Sequence, residues 1–207
     1  MRVSYNVSAE NRGLPFRAQS ELTWQRGSDA AYSIRFEVKA LFFGARQQTS
    51  VGQIGPDALL PTRFSDKVRA EQAAHFDRER GQVSFSTQTA AVALLQGAQD
   101  RLSVFVQLAS LVAADPARYG PGTGLAIQTF GVRGGGVWTF LAQADELLEL
   151  PGGTLRTHKW LRPANSEYDQ VIELWLAPDL GYLPARIRIS QANGDFVDQQ
   201  WRSHSPR

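Results

Sequence analysis

Three histidines, His75, His158 and His204, are the residues of this 207-residue chain best suited to moving protons or holding a metal. None stands in an H-x-x-x-H or H-E-x-x-H spacing, so no two imidazoles share a helix face and no metal site is indicated. The chain has no cysteine, which removes disulfides, zinc-thiolate sites and thiol catalysis together. No G-x-S-x-G elbow marks a seryl hydrolase. Gly120-Pro121-Gly122-Thr123-Gly124 resembles a phosphate loop in composition alone, lacking the following helix and Lys-Ser/Thr. Gly134-Gly135-Gly136 leads into a strand and reads as a hairpin tip. Carboxylates are plentiful, but pairing two for acid–base work requires a proximity that spacing does not show. The residues therefore nominate no catalytic group and no cofactor.

Binding is better represented. In Val171 to Ala177, Ile172, Leu174 and Leu176 share one face, and in Leu183 to Gln191 so do Ala185, Ile187 and Ile189. Burying both sets together pairs Leu174 with Ala185 or Ile187, never with Arg186. Glu173 and Trp175 then share a face with Arg186 and Arg188, which predicts an ion pair or a Trp–Arg stack. Glu173, Arg186 and Arg188 are the candidate polar rim of a site. Leu102, Phe105, Trp138, Phe140 and Trp175 are the candidate lining of an apolar groove, should a sheet curve round a helix without closing fully. A third pattern, Leu-Pro-x-Arg, recurs at Leu14 to Arg17, Leu60 to Arg63 and Leu183 to Arg186. Proline is tolerated at strand starts, so strand punctuation explains all three; the functional alternative gathers the arginines as an anion site.

The element that must position these groups is a helix from Asp100 to Ala114. Asp100 can cap its start, and Asp115-Pro116 stops it. Within it, polar residues fall only at Ser103, Gln107 and Ser110. Leu102, Val104, Phe105, Val106, Leu108, Leu111 and Val112 make the rest of the cylinder apolar, so it must be covered on most sides. Around it the chain alternates with period two: Arg2 to Ala9, Phe16 to Gln25, Ala31 to Leu41, Arg46 to Ile54, a short strand near Pro61 to Phe64, Gln72 to Phe76 and Gln82 to Ser86. Thr87 to Gln96 lacks clean periodicity. Leu125 to Val132, Val137 to Ala142, Glu146 to Leu150, Thr154 to Leu161, the hairpin above and Phe196 to Ser203 follow. The expected fold is α+β and mainly β. A curved antiparallel sheet, a half-barrel or partly closed barrel in one domain spanning 1–207, wraps one main helix.

Composition narrows the partners. Hydrophobic residues make up 43%, enough for a sizeable core. The net charge of +2 comes from 22 basic and 20 acidic residues interspersed along the chain, which argues against nucleic acid as a partner. No run of about 18 or more apolar residues spans a bilayer. The first residues already read as a strand and lack the apolar core of a signal peptide, so either the protein is cytoplasmic or a targeting segment precedes Met1.

Several stretches carry a family resemblance: Gly55 to Phe64 ending L-P-T-R-F, Ala74 to Asp77 (A-H-F-D), Gly97 to Val104 (G-A-Q-D-R-L-S-V) and Glu173 to Arg188 (E-L-W-L-A-P-D-L-G-Y-L-P-A-R-I-R). Together they resemble DUF3108, a family of uncharacterised exported bacterial envelope proteins. The resemblance implies a periplasmic or exported setting, with a leader or anchor missing before Met1. It supplies no activity. The W-x-x-P…L-P-x-R-I ending is also similar to the closing hairpin of periplasmic lipoprotein carriers, whose curved half-barrels cover an apolar cavity. The expectation is a non-enzymatic envelope protein holding a lipid, a lipoprotein or an apolar peptide in a sheet–helix groove. An envelope-assembly module with a filled core, binding a protein partner, and a hydrolase acting on envelope glycans or lipids are the alternatives.

Overall fold

The computed structural model describes residues 1–40, 44–87 and 90–205. Leu41, at the end of the expected third strand, and Gln88 and Thr89, in the segment without clean periodicity, lie outside them. The first eight strands are β1 (Arg2–Asn11), β2 (Leu14–Arg26), β3 (Ala31–Ala40), β4 (Gly44–Ile54), β5 (Leu59–Lys67), β6 (Glu71–Asp77), β7 (Gln82–Phe85) and β8 (Val92–Ala93). The two-residue β9 (Gln99–Asp100) leads into the helix α1 (Ser103–Ala114). Then come β10 (Gly124–Phe130), β11 (Gly135–Ala142), β12 (Glu146–Leu150), β13 (Gly153–Arg162), β14 (Val171–Leu176), β15 (Pro184–Ser190) and β16 (Phe196–Ser205). A single 3-10 turn, Pro178–Leu180, joins β14 to β15.

One sheet contains all these strands. Its hydrogen-bonded order is β8-β7-β6-β5-β4-β3-β2-β1-β16-β15-β14-β13-β11-β10-β9, with β12 pairing β13 to one side. The path thus begins at β8 and ends at β9, which are consecutive in sequence. Residues 94–98 connect them, a link that reaches at most about 20 Å. The sheet must therefore curl until its two ends come close. Among the described residues no backbone ladder joins those ends. The Gln128 carboxamide of β10 bridges them instead: Oε1 accepts from Leu95 N at 2.8 Å and Nε2 donates to Ala93 O at 2.9 Å.

Strand alternation sets the faces. Val3, Tyr5, Val7 and Ala9 of β1 are all buried, with residues between them more exposed. The register of the last hairpin pairs Leu174 with Ile187, Glu173 with Arg188 and Trp175 with Arg186. The Leu-Pro-x-Arg segments fall at the starts of β2 and β15, whereas Pro61 stands inside β5. There the β4–β5 ladder shifts register beside it, between Val51 and Gly52, the irregularity that lets proline sit within a strand. Gly52 is obligatory at this spot, because a Cβ on it would lie 2.2 Å from Leu60 O.

Helix α1 lies between two apolar clusters. Leu102, Val106 and Ala109 pack with residues such as Tyr5, Ile34, Phe64 and Phe130. Val104, Leu108 and Val112 pack with Phe140, Trp160, Ile172 and Leu174. The apolar cylinder is covered on two sides, as its composition demands. Its polar stripe is used rather than left to water. Gln107 Oε1 accepts from Leu59 N at 2.7 Å, and Gln99 Nε2 donates to Leu59 O at 2.8 Å, so two carboxamides hold both backbone groups of one β5 residue. Ser110 is the exposed member and donates to Val106 O.

The helix starts at Ser103, three residues later than expected, because Asp100 pairs with Phe130 in β9. Its side chain still serves the helix start, Oδ1 accepting from the N–H groups of Leu102 (2.8 Å) and Ser103 (2.7 Å). Asp100 is fully buried, and Ser50 donates to its Oδ2 at 2.5 Å. Burial pushes its carboxyl up to about 6 against those hydrogen bonds.

Candidate functional site

Alternation in β1, β2, β3, β14, β15 and β16 points a second set of apolar residues inward, beyond those that meet the helix. Between these strands and the start of α1 lies a cleft of about 530 Å³, inside the roughly 300–1,000 Å³ range of small-molecule sites. Val7, Leu22, Phe36 and Val38 form one wall, and Ile172, Ile187 and Ile189 the other. Phe105 faces it from the helix, Leu102 from the residue just before the helix and Trp138 from β11. Phe16 and Phe196 line it from the turn-proximal ends of their strands. Gln199, a buried polar residue in the lining, has its Oε1 engaged by Ser20 Oγ at 2.8 Å.

Of the sequence candidates for an apolar lining, the structure brings Leu102, Phe105 and Trp138 together in this cleft. Phe140 and Trp175 are placed elsewhere. Phe140 shares the inward face of β11 with Trp138, their rings 6.2 Å apart, but it is fully buried in the cluster under the helix. Trp175 lies on the opposite face of β14 from Ile172 and Leu174, because side chains alternate along a strand.

The candidate polar rim does not border the cleft. Glu173, Arg186 and Arg188 occupy the outer face with Trp175. The expected Trp–Arg stack is present, the Arg186 guanidinium 4.6 Å from the Trp175 ring centroid. Of the two alternatives it is the stack, not a Glu173–arginine ion pair, that forms. Glu173 binds Lys159 at 3.3 Å, while Arg186 (2.6 Å) and Arg188 (3.4 Å) converge on the buried carboxylate of Asp198. Glu146 completes the network, accepting from Lys159 Nζ at 3.0 Å and Trp175 Nε1 at 2.7 Å. Arg63 pairs with Glu71 on β6, so the arginines of the three Leu-Pro-x-Arg segments do not converge.

The histidines also lie apart, on β6, β13 and β16. His158 Nδ1 meets Asp145 Oδ1 at 2.9 Å and its ring stacks on Tyr182, whereas His204 rests against Trp201. Among the described residues no three His, Cys, Asp or Glu side chains gather as metal ligands. No helix among them is long and apolar enough to cross a membrane.

Sequence reasoning missed Arg101. Its side chain lies across Gly131, where a Cβ would come within 2.9 Å of Nε, and its guanidinium stands 5.8 Å from the Trp138 ring centroid. Arg162 approaches the same ring at 4.7 Å while held by Asp169 at 2.9 and 2.6 Å. Those hydrogen bonds bring the Asp169 carboxyl down to about 2. The only sequence signal for Arg101 is its position next to the helix start.

A mainly antiparallel, curled sheet with one internal helix places the chain among barrel-like β proteins. It belongs to the DUF3108 family, described as a protein of unknown function, whose model matches residues 2–199. No curated protein matches it. Among solved structures it is similar to a beta-barrel-like protein of the DUF1849 domain of unknown function from Brucella abortus, with a TM-score of 0.61 at 9% identity, covering 97% of this chain and 94% of that one. That likeness is one of fold, and it is consistent with the half-barrel expected from the closing hairpin. A DUF1329 family protein from Desulfovibrio piger ATCC 29098 aligns over 97% of this chain and 82% of its own, at 10% identity and a TM-score of 0.33.

Proposed function

We propose that this protein is a non-enzymatic component of the bacterial envelope, exported to the periplasm, that holds an apolar ligand in the cleft beside α1. The ligand is a lipid, the acyl portion of a lipoprotein or an apolar peptide. In this reading the sheet is a half-barrel that wraps the helix, and the helix fills only part of its interior. One observation carries the proposal: Val7, Val38, Ile187, Ile189, Phe105 and Trp138 surround about 530 Å³ of open space with largely apolar walls. Each methylene placed there would contribute about 0.8 kcal/mol. The periplasmic setting rests on the family resemblance read from the sequence.

Native mass spectrometry of the protein purified from its host's envelope tests the proposal. A co-purifying mass in the lipid range, lost in a folded Phe105→Asp variant, is the expected result. A clean apo mass would overturn it in favour of a partner-binding module acting through its outer surface.

A further inference from the structure

The apolar cleft does not end in apolar surface. It adjoins a second, more polar basin of about 800 Å³, and Arg46, Val68, Arg101 and Trp138 line both. Arg69 and Arg133 face the basin as well. The carboxylates nearby are already engaged. Asp66 takes Arg46 through both oxygens and accepts from Gln48 Nε2 at 3.0 Å, and Asp169 is held by Arg162. Among the described residues no carboxylate lies within ion-pair distance of Arg69, Arg101 or Arg133. Arg101 lies near Arg162 and Arg46 as well as their partners Asp169 and Asp66; burial first, then the two arginines, push its pKa below the ordinary arginine value against the two carboxylates. Two acidic residues, Glu10 and Asp195, reach the cleft from the β1–β2 and β15–β16 turns, and Asp195 is bound to Arg12 N at 2.7 Å. Negative charge in the lining therefore comes from those turns, and surplus positive charge from the basin.

Resting on the apolar-ligand reading, we propose that the occupant is an anionic single-chain phospholipid. Its acyl chain lies in the cleft and its phosphate headgroup is received by Arg101 at the mouth of the Arg69–Arg133 basin. A guanidinium presents paired donors that match phosphate oxygens. The basin accommodates a glycerophosphate head, and three arginines without carboxylate partners supply its counter-charge.

The test compares lysophosphatidylglycerol with lysophosphatidylcholine of the same chain length, below their micelle concentrations, by isothermal titration of the whole chain. The wild type is expected to bind the anionic lipid about tenfold more tightly, the scale of one charge-assisted hydrogen bond. Arg101→Gln brings the two affinities together, Arg101→Lys retains part of the difference, and Arg63→Gln, which removes a distant charge, leaves the difference intact. Far-ultraviolet circular dichroism checks the fold of each variant. Equal wild-type affinities, or a preference that survives Arg101→Gln, would overturn the headgroup assignment and leave the cleft reading standing. Failure of both lipids to bind the wild type would overturn both.

Discussion

The two ends of one face of α1 meet the same curled sheet with opposite results. Toward its C-terminal end, Leu108 and Val112 close against Phe140 and Trp160, and all four side chains are essentially inaccessible. Toward its start, Phe105, one turn earlier on the same face, stays half-buried and faces open space. Both ends are apolar, so hydrophobicity does not distinguish them. Depth does. Phe140 and Trp160 are fully buried against Leu108 and Val112, whereas two aromatic residues of the cleft, Phe16 and Phe196, stand at the turn-proximal ends of β2 and β16 and stay half-buried. Close packing requires side chains from both walls to meet. A cleft remains where they do not.

The strongest way to break this contrast is to hollow out the filled end. Trp160→Ala should cost about 3–5 kcal/mol in chemical denaturation, because the cavity it leaves is sealed. Phe105→Ala should cost about 1–2 kcal/mol, since that ring is partly solvated already. Equal costs would mean that the cleft collapses in solution.

Next in size is a pH effect at the helix start. The carboxyl of Asp100, raised to about 6 by burial in the folded state, binds its proton more tightly there than in the unfolded chain. Its contribution is thus fully present below about pH 4 and is lost as pH rises through about 6. Thermal stability of the wild type should fall across that window, and that fall should vanish in Asp100→Asn. The opposite influence, from Asp169, acts at lower pH, because its folded value is depressed to about 2.

Smaller again is Gln128→Ala, which removes the two hydrogen bonds across the seam. It should cost about 1 kcal/mol and speed hydrogen exchange at the Leu95 amide without altering exchange at Leu108. Least of all, Glu173→Gln on the outer face should change stability by less than about 0.5 kcal/mol.

Much of this architecture was legible in the residues. Period-two alternation located the long strands, and the demand that Leu174 and Ile187 be buried together left their observed register among just two. The same alternation held a signal against Trp175 as groove lining: once Leu174 and Leu176 face inward, Trp175 faces outward with Glu173. Phe140 is a different case. Its face was readable, but its depth depends on where the helix lies, a long-range matter. Spacing could not reveal the seam either, because a single glutamine side chain replaces a strand pair there. Arg101 was hidden for a related reason, since what distinguishes it is the company of Arg46 and Arg162, brought from distant strands.

The pairing of β1 with β16 has a consequence in time. Arg2 stands opposite Ser205 at the middle of the sheet, so β1 must wait for β16 to be made before gaining that neighbour. At roughly 5–20 residues per second, the interval is on the order of 10–40 s for this chain. Val7 and Val197, which both line the cleft, belong to those two strands. The meander from β2 to β7 can assemble while synthesis proceeds, but the cleft is completed only by the closing residues. Contacts of such sequence separation make for slow folding, and a nascent chain carries an unpaired β1 edge throughout the wait.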